Sequence, residues 1–448
     1  MAKIKKHEGL SPSQFILLGF ALVIIIGAIL LTLPFSVRSG GFNNFIDALF
    51  TATTAVCVTG LVTVDTGTFY NSTGHAIILL LIQVGGLGII TATTFYAIII
   101  GKRIGLKERL MIKEALNRDE LGGVVRLVRG ILLTTFVIEG TGAVLLFFSF
   151  LKYFPAKKAA WYGIFHSISS FCNAGIDLLG KDYYPYCSLI PLQTNKFLLL
   201  VIAFLIILGG IGFPVIIEVL NQRRFKRLSL HSKLALITSA VFLILGTVFF
   251  FFSEHGATFS KMGMGDQINN AFFLSTTPRT AGYTAVDLAK SLPATWLVLM
   301  FLMFVGASPG GTGGGIKTTT FAVLLMAVWT RMKGKEEVEA FHRRIDKDTI
   351  YRALTVLALA AAVLFICILL LTLFDAHDPI KLMFEAFSAF GTVGLTTGIT
   401  PELTWGAKLV LIFLMFFGRL GPLTMAFALM EDTKKHHIKY PQGSVIIG

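Results

Sequence analysis

Charged side chains are scarce in this sequence. Only 14% of its 448 residues are Asp, Glu, Lys or Arg, whereas a soluble domain carries about 25%. The mean hydropathy is +0.76, so an ordinary soluble domain is excluded. Several apolar runs approach or reach the ~20 residues that cross a bilayer, which predicts a polytopic membrane protein. These runs are Phe15–Leu33, Ala76–Ile100, Phe197–Leu220, Leu234–Phe252, Trp296–Val305 with its continuation past Phe321, Leu354–Phe374 and Leu409–Leu429.

Motifs for metal binding and catalysis are also missing. The four cysteines (Cys57, Cys172, Cys187 and Cys367) form no C-x-x-C pair, so we expect neither a zinc site nor a disulfide framework. The histidines and acids form no H-E-x-x-H or G-x-S-x-G motif, which argues against an enzyme. The run GASPGGTGGGIKTTT resembles a phosphate loop, but Ile316 stands where Gly should precede Lys317. We therefore expect no nucleotide site on this chain.

A short motif occurs four times along the chain. Each copy has Phe ten residues before a Gly, and Thr or Ser six residues before it. The glycines are separated by 115, 107 and 112 residues, which indicates an internal repeat. The copies are FTATTAVCVTG (Phe50–Gly60), FHSISSFCNAG (Phe165–Gly175), FFLSTTPRTAG (Phe272–Gly282) and FEAFSAFGTVG (Phe384–Gly394). The predicted domains are repeat 1 (1–100), repeat 2 (101–221), repeat 3 (222–331), repeat 4 (332–431) and a tail (432–448).

The net charge of +14 reflects topology rather than nucleic-acid binding. Of the 39 Lys and Arg, 26 fall in five segments that alternate with the motif copies. The positive-inside rule places these segments in the cytoplasm and the motifs towards the outer side. The five segments are the N-terminus, 101–130, 221–233, 331–352 and the tail from 431. We read the first apolar run as an uncleaved span.

These observations predict an all-α membrane protein in which each repeat has a long outward helix, a short re-entrant helix with the motif, and a long returning helix. Four repeats give eight spans and place both termini in the cytoplasm. Asp378-Pro379 predicts an N-cap for the fourth short helix, and Asp266 is a candidate cap for the third. The polar segments 101–126 and 331–350 are predicted to be cytoplasmic helical connections.

Glycine clusters mark each returning helix. From each motif glycine to the first glycine of the next cluster the separations are 25, 34, 24 and 24 residues. For the first two clusters we favour helix packing over a direct functional role. The third cluster interrupts a spanning helix. The clusters are QVGGLG (Gln83–Gly88), ILGGIG (Ile207–Gly212), GASPGGTGGGIK (Gly306–Lys317) and FFGRLGP (Phe416–Pro422).

The motif turns suit a bare cation. Non-helical backbone at membrane depth is tolerated where it is buried in protein or lines a polar cavity, and four such turns at similar spacing suggest a ring around one axis. Carbonyl oxygens can replace the hydration shell of an ion, and the short helices would direct their partly negative C-terminal ends at the centre. No ring of acidic side chains is present or required.

The fourfold pattern, with one Gly in each turn, resembles the Trk/Ktr/HKT superfamily of potassium transporters, and most closely its bacterial KtrB membrane-subunit branch. The resemblance implies a potassium-selective pathway with one central pore in each chain. Family members with Ser at the first filter glycine prefer sodium, whereas this chain has Gly60. The implied potassium-binding filter residues are Val58, Thr59, Gly60, Asn173, Ala174, Gly175, Thr280, Ala281, Gly282, Thr392, Val393 and Gly394.

The resemblance also implies a gate, partners and a location. The gate is an intramembrane loop that obstructs the pore below the filter. The partners are a second copy in a homodimer, a cytosolic ring of nucleotide-binding RCK-type subunits, and membrane lipid, with no nucleic acid. The location is the bacterial plasma membrane, and sodium is expected to stimulate transport. The alternative is a sodium-selective or cation-symporting relative. The implied gating residues are Gly306, Gly310, Gly311, Thr312, Gly313, Gly314, Gly315, Lys317 and Arg419.

Several charged residues fall inside apolar segments. We expect Arg279 to point away from the axis and anchor its turn. Arg419 is a functional candidate that either repels cations or pairs with loop carbonyls, and a purely structural clamp is an equal alternative. Glu139, Glu218 and Glu385 are expected to cap or pair rather than bind the ion. Cys57 and Cys172 are expected to pack as small side chains.

Overall fold

The computed structural model describes residues 11–88, 91 and 124–429. These residues are mainly helical. In chain order the helices are α1 (Pro12–Thr32), α2 (Phe45–Val56), α3 (Thr66–Phe69), α4 (Ser72–Leu87), α5 (Val124–Phe150), α6 (Ala156–Phe171), α7 (Lys196–Ile211), α8 (Phe213–Gln222), α9 (Leu230–Glu254), α10 (Met264–Thr276), α11 (Pro293–Phe304), α12 (Thr318–Met332), α13 (Lys347–Phe374), α14 (Pro379–Gly391), α15 (Trp405–Leu420) and α16 (Pro422–Leu429).

Four helices in the described ranges, α1, α5, α9 and α13, are long and apolar enough to cross a membrane by themselves. The bent pair α7–α8 also passes this test if it counts as one span. The long helices expose large apolar side chains, including Leu22 on α1 and Leu373 on α13. A membrane accommodates such surfaces because lipid tails are as apolar as the side chains.

The short motif helices α2, α6, α10 and α14 contain 12 to 16 residues. As predicted, Asp378 caps α14, since its Oδ1 accepts from Ile380 N at 2.8 Å and Pro379 begins the helix. The expectation for Asp266 is wrong. Helix α10 begins earlier, after Gly263, because Gln267 reaches back to Met262 O (2.9 Å) and fixes the preceding turn. Asp266 lies in the first turn and pairs with Lys196 at 3.4 Å.

The returning helices end or bend at their glycine clusters, whereas we expected one long helix in each repeat, interrupted in the third. Helices α4, α7 and α15 end before Gly88, Gly212 and Gly421, whose φ angles are +81°, +101° and +85°. Only glycine adopts such angles without strain. The axes of α7 and α8 differ in direction by 96°, so the run Phe197–Leu220 is not one straight helix. The third returning helix is interrupted between α11 and α12, where the glycine-rich loop lies.

The connection between α12 and α13 contains a hairpin, so the helical prediction for 331–350 is wrong. Strands β1 (Glu339–Ala340) and β2 (Arg343–Arg344) are antiparallel. Phe341 and His342 form the turn with φ of +52° and +60°, and two positive φ angles are what a two-residue hairpin turn requires. The other predicted connection, 101–126, lies almost wholly outside the described residues.

Candidate functional site

The four motif glycines form a closed ring. Each packs against the carbonyl that precedes the next glycine. A Cβ atom placed on Gly60 would lie 2.6 Å from Ala174 O and 3.3 Å from Gly175 Cα. Gly175 meets Ala281 O and Gly282 in the same way, Gly282 meets Val393 O and Gly394, and Gly394 meets Thr59 O and Gly60. The contacts therefore return to the starting residue. We name the members of the ring segment 1 (Val58–Gly60), segment 2 (Asn173–Gly175), segment 3 (Thr280–Gly282) and segment 4 (Thr392–Gly394).

The four segments share an unusual backbone. The first residue of each is left-handed although it is not glycine: φ is +51° at Val58, +61° at Asn173, +71° at Thr280 and +50° at Thr392. The closing glycines have φ between +62° and +98°. A strained non-glycine residue costs about 1–3 kcal/mol and persists only where its surroundings hold it, commonly at binding sites. Fourfold repetition of this geometry marks the ring as a built site.

Side-chain hydroxyls support the segments from behind. Thr54 Oγ1 accepts from Gly60 N (2.8 Å), and Ser388 Oγ accepts from Gly394 N (3.0 Å). Ser169 Oγ accepts from Ile176 N at 3.1 Å. In the third copy the supporting hydroxyl is Thr277, which donates to Tyr283 O. The aligned Thr276 instead bonds to Phe272 O within its own helix.

The ring is rich in carbonyl oxygens and poor in other ligands. All twelve of its residues are buried, and none carries a charge. Helices α2, α6, α10 and α14 end within a few residues of the ring, so their C-terminal, partly negative ends lie beside it. This arrangement suits a cation that has lost its water. Twelve residues predicted from the motif are thus brought together in space.

Glycines of three clusters on the returning helices provide close packing, which we expected for the first two clusters. Gly85 lies against Val56 O, Gly209 against Phe171 O and Gly418 against Phe390 O, and a Cβ atom at any of the three would overlap the carbonyl. These carbonyls belong to the last turn of a short motif helix in each case. Gly86 similarly packs on Cys172, whose thiol is buried.

The glycine-rich loop Gly306–Lys317 lies against one end of the ring. Gly314 N donates to Thr392 Oγ1 at 2.9 Å, and a Cβ on Gly313 would collide with the side chain of Thr280. The loop is also tied to the end of α7, because Thr312 N donates to Gly209 O at 3.1 Å. It therefore contacts the left-handed residues of segments 3 and 4. Lys317 Nζ donates to two carbonyls of the loop, Gly313 O (2.6 Å) and Gly314 O (3.3 Å).

Arg419 connects the loop to a different repeat. Its guanidinium donates to Thr312 O in the loop, and to Gly85 O and Gly86 O at the end of α4. Planar guanidinium groups suit such multiple acceptors. Of the alternatives considered for Arg419, pairing with a loop carbonyl is therefore present, and the same side chain also clamps α4.

The remaining internal charges have local partners. Arg279 points away from the ring to α9, where Nη2 donates to Ser239 Oγ at 2.6 Å, as expected. Glu139 accepts from Gln83 Nε2 at 3.2 Å, and Glu218 accepts from Ser229 N at 2.6 Å. Glu385 is fully buried and accepts from Thr397 N at 3.0 Å, behind segment 4. Each acid thus braces a turn or a neighbouring helix.

A contact between Tyr283 and the preceding repeat was not anticipated from the sequence. Tyr283 follows Gly282 directly, and its hydroxyl donates to Ile176 O in the preceding repeat at 3.0 Å. The only signal was an aromatic residue after the third motif glycine, where the other copies have Leu61, Ile176 and Leu395.

The family model described as "TrkH: Cation transport protein" matches residues 18–437. The chain belongs to this family. It is 43% identical to the potassium/sodium uptake protein NtpJ of Enterococcus hirae, over 100% of this chain and 99% of that protein. It is 40% identical to the Ktr system potassium uptake protein B of Bacillus subtilis, with the same coverage. TrkH family membership also confirms that the chain is a cation transporter and not an enzyme.

A solved structure shares the fold. The crystal structure of the potassium transporter TrkH from Vibrio parahaemolyticus superposes with a TM-score of 0.75, covering 96% of this chain and 87% of that chain at 17% sequence identity. This similarity concerns architecture alone. The resemblance noted in the motif pattern therefore extends to the whole fold.

Proposed function

We propose that this chain is the potassium-translocating membrane subunit of an uptake system. The carbonyl oxygens of the four ring segments surround a dehydrated potassium ion on the central axis. The closed contact circuit of Gly60, Gly175, Gly282 and Gly394 is the observation that carries the proposal. A bare ion in a low-dielectric interior costs tens of kcal/mol, and a carbonyl ring offsets that cost.

In this proposal the loop Gly306–Lys317 is the gate. It touches the ring at Thr280 and Thr392, so an ion leaving along the axis meets it. Glycines give it small side chains and several accessible conformations. Arg419 holds the loop in the obstructing position through Thr312 O.

The proposed topology has eight crossings and four re-entrant helices, with both termini in the cytoplasm. The four long helices supply the outward crossings. In repeats 2, 3 and 4, each broken returning helix crosses together with the helix that follows its glycine cluster, which is α8, α12 or α16. The concentration of Lys and Arg in the connecting segments supports this orientation.

We propose two kinds of protein partner. The first is a second copy of the chain, each copy with its own pore. The second is a cytosolic nucleotide-binding ring of RCK type, since relatives are described as parts of a "Ktr system" and this chain has no nucleotide motif. The hairpin at Glu339–Arg344 is a candidate contact for that ring.

A sodium-linked transporter is the second candidate. The relative with 43% identity is described as a "potassium/sodium uptake protein". Gly60 favours potassium, because the resemblance associates Ser at this position with sodium preference. Sodium stimulation of potassium transport is compatible with both candidates.

The decisive assay is uptake of radioactive rubidium, a potassium substitute, into liposomes that contain the purified chain. We expect uptake above protein-free liposomes, inhibition by potassium, and much weaker inhibition by sodium. Stronger inhibition by sodium would support the second candidate. Folded protein that takes up neither radioactive rubidium nor radioactive sodium would contradict both candidates.

A further inference from the structure

The four contacts between neighbouring ring segments are not equivalent. We call each contact a seam and number it by the segments that it joins. Packing of a glycine on a carbonyl recurs at every seam. Side-chain hydrogen bonds are different: in the described part of the chain, those between neighbouring segments or the residues directly after them are found at seam 2–3 alone.

The first bond of seam 2–3 joins the left-handed residues of the two segments. The side-chain amide of Asn173 and the hydroxyl of Thr280 are 3.0 Å apart, and the two hydrogen-bond in either orientation of the amide. Both residues are fully buried. Because a buried polar group left unpaired is costly, this bond holds the two strained residues in a fixed relation.

The second bond lies beyond the glycines. Tyr283 Oη donates to Ile176 O, which also accepts from Ser169 Oγ at 2.9 Å. The tyrosine ring stacks on His166 with 6.3 Å between ring centroids, and both side chains are fully buried. The ring stacking and the hydrogen bond therefore restrict the same side chain, and seam 2–3 is tied at both ends.

The other three seams lack the required residues. The counterparts of Asn173 are Val58, Thr280 and Thr392, and the counterparts of Tyr283 are Leu61, Ile176 and Leu395. The hydroxyl of Thr392 accepts from the loop residue Gly314 instead of from a neighbouring segment. On the opposite side of the ring, seam 4–1 is held by backbone packing.

We propose that Asn173 and Tyr283 are positioning residues that make one half of the ring rigid and leave the half around seam 4–1 compliant. This inference rests on the proposed ion-conducting function. The rigid half of the ring fixes the distances between the carbonyl oxygens and the ion. Without this rigidity the ring can contract around sodium, which is the smaller ion. Asn173 and Tyr283 therefore determine discrimination between potassium and sodium without supplying ligands from their side chains.

Tyr283→Phe is the sharpest test, because it keeps the ring stacked on His166 and removes only the hydroxyl. The matched control is Tyr70→Phe. Tyr70 is also fully buried, but its hydroxyl accepts from Asn43 Nδ2 at 3.0 Å, away from the ring. Thr280→Val is a second variant that removes the other bond with little change in shape. The measurements are the KM for rubidium, the sodium inhibition constant and the Tm of each protein.

We expect Tyr283→Phe to reduce the ratio of sodium inhibition constant to rubidium KM by about three- to tenfold, the range that one net hydrogen bond represents. Thr280→Val is expected to act in the same direction, and Tyr70→Phe to leave the ratio unchanged at a similar Tm. An unchanged ratio in Tyr283→Phe, or an equal change in Tyr70→Phe, would overturn the inference. A wild type that prefers sodium would overturn the proposed potassium function instead. Comparison of the inhibition-to-KM ratios between wild type and variants would still test whether seam 2–3 controls ion discrimination.

Discussion

At the scale of single residues, the ring depends on the space around each closing glycine. Gly60 combines a φ of +98° with a neighbouring carbonyl that leaves no room for Cβ. Both features disfavour any side chain. Gly40 has a comparable φ of +71° but nothing within 4 Å of its Cβ position. Substitutions at Gly40 and Gly60 therefore distinguish the effect of backbone strain, which both share, from the effect of crowding in the ring, which only Gly60 has.

Gly60→Ser should reduce the preference for potassium over sodium by about tenfold, equivalent to roughly 1.4 kcal/mol. The added side chain would displace Ala174 O, a proposed ion ligand. Sodium inhibition of rubidium uptake is the measurement, and Gly40→Ser is the matched control, expected to behave as wild type. An unchanged ion preference in Gly60→Ser would count against the ring as the selective element.

Arg419 tests whether charge or geometry holds the loop. Arg419→Gln should raise rubidium flux severalfold, since the bond to Thr312 O no longer restrains the loop. Arg419→Lys keeps the charge but lacks the planar fork that spans the loop and α4. Raised rubidium flux in both variants would show that Arg419 acts by bridging the loop and α4. Raised flux in Arg419→Gln with wild-type flux in Arg419→Lys would show that the positive charge repels cations. Wild-type flux in both would leave Arg419 a structural clamp.

At the scale of elements, the loop between α11 and α12 is the clearest interruption. Deleting Gly310–Gly315 removes six residues and should raise flux severalfold, because the remaining chain no longer extends along the ring. The rate of ion flux into liposomes that contain the variant is measured with radioactive rubidium or with a fluorescent ion indicator. Deleting Glu339–Arg344 is a control of equal length that should leave flux unchanged, because Ile345 N already donates to Val338 O at 2.8 Å. Folded but inactive protein after the loop deletion would show that the loop supports the ring instead of blocking it.

The connection between α13 and α14 predicts a pH dependence of stability. The Asp375 and Glu402 carboxylates raise the pKa of His377 above its ordinary value, and Asp375 Oδ2 also accepts from Thr404 N at 2.9 Å. A raised folded-state pKa means that the contribution is complete below about pH 6.5, the unfolded value, and is lost as the pH rises through the folded value.

The Tm of the wild type should therefore fall between pH 6 and 8 by more than that of His377→Gln. Thermal unfolding in detergent at several pH values makes the comparison. Parallel Tm profiles for the two proteins would show that His377 does not contribute to this dependence.

Much of the fold could be predicted because the information is periodic. The spacing of Gly60, Gly175, Gly282 and Gly394 indicated the ring, and Asp378-Pro379 marked the start of α14. The break at Gly212 was missed because we read this glycine as a packing residue, although Pro214 follows it and a proline inside an apolar run ends or kinks a helix. The hairpin was missed because no Asn-Gly or Asp-Gly precedes Arg343.

Contacts between residues far apart in the sequence limited how much of the site could be predicted. Tyr283 and Ile176 are 107 residues apart in sequence, as are Asn173 and Thr280. Neither pair has a local signature. The support from Thr277 was also hidden, because ungapped alignment places Thr276 at that position, and the third helix ends earlier relative to its glycine than the other three.

At the scale of the whole molecule, the fourfold arrangement places polarity inside and apolar surface outside. Buried Ser and Thr surround the ring, while the long helices expose Leu, Ile and Phe. The central claim is that four main-chain segments together hold one dehydrated cation.

Anomalous diffraction from crystals of the protein in rubidium tests this claim most directly. We predict a rubidium peak on the axis within coordination distance of carbonyl oxygens from all four segments, and a weaker peak when sodium replaces rubidium. A well-ordered ring with no rubidium inside it, or rubidium bound only elsewhere, would contradict the account.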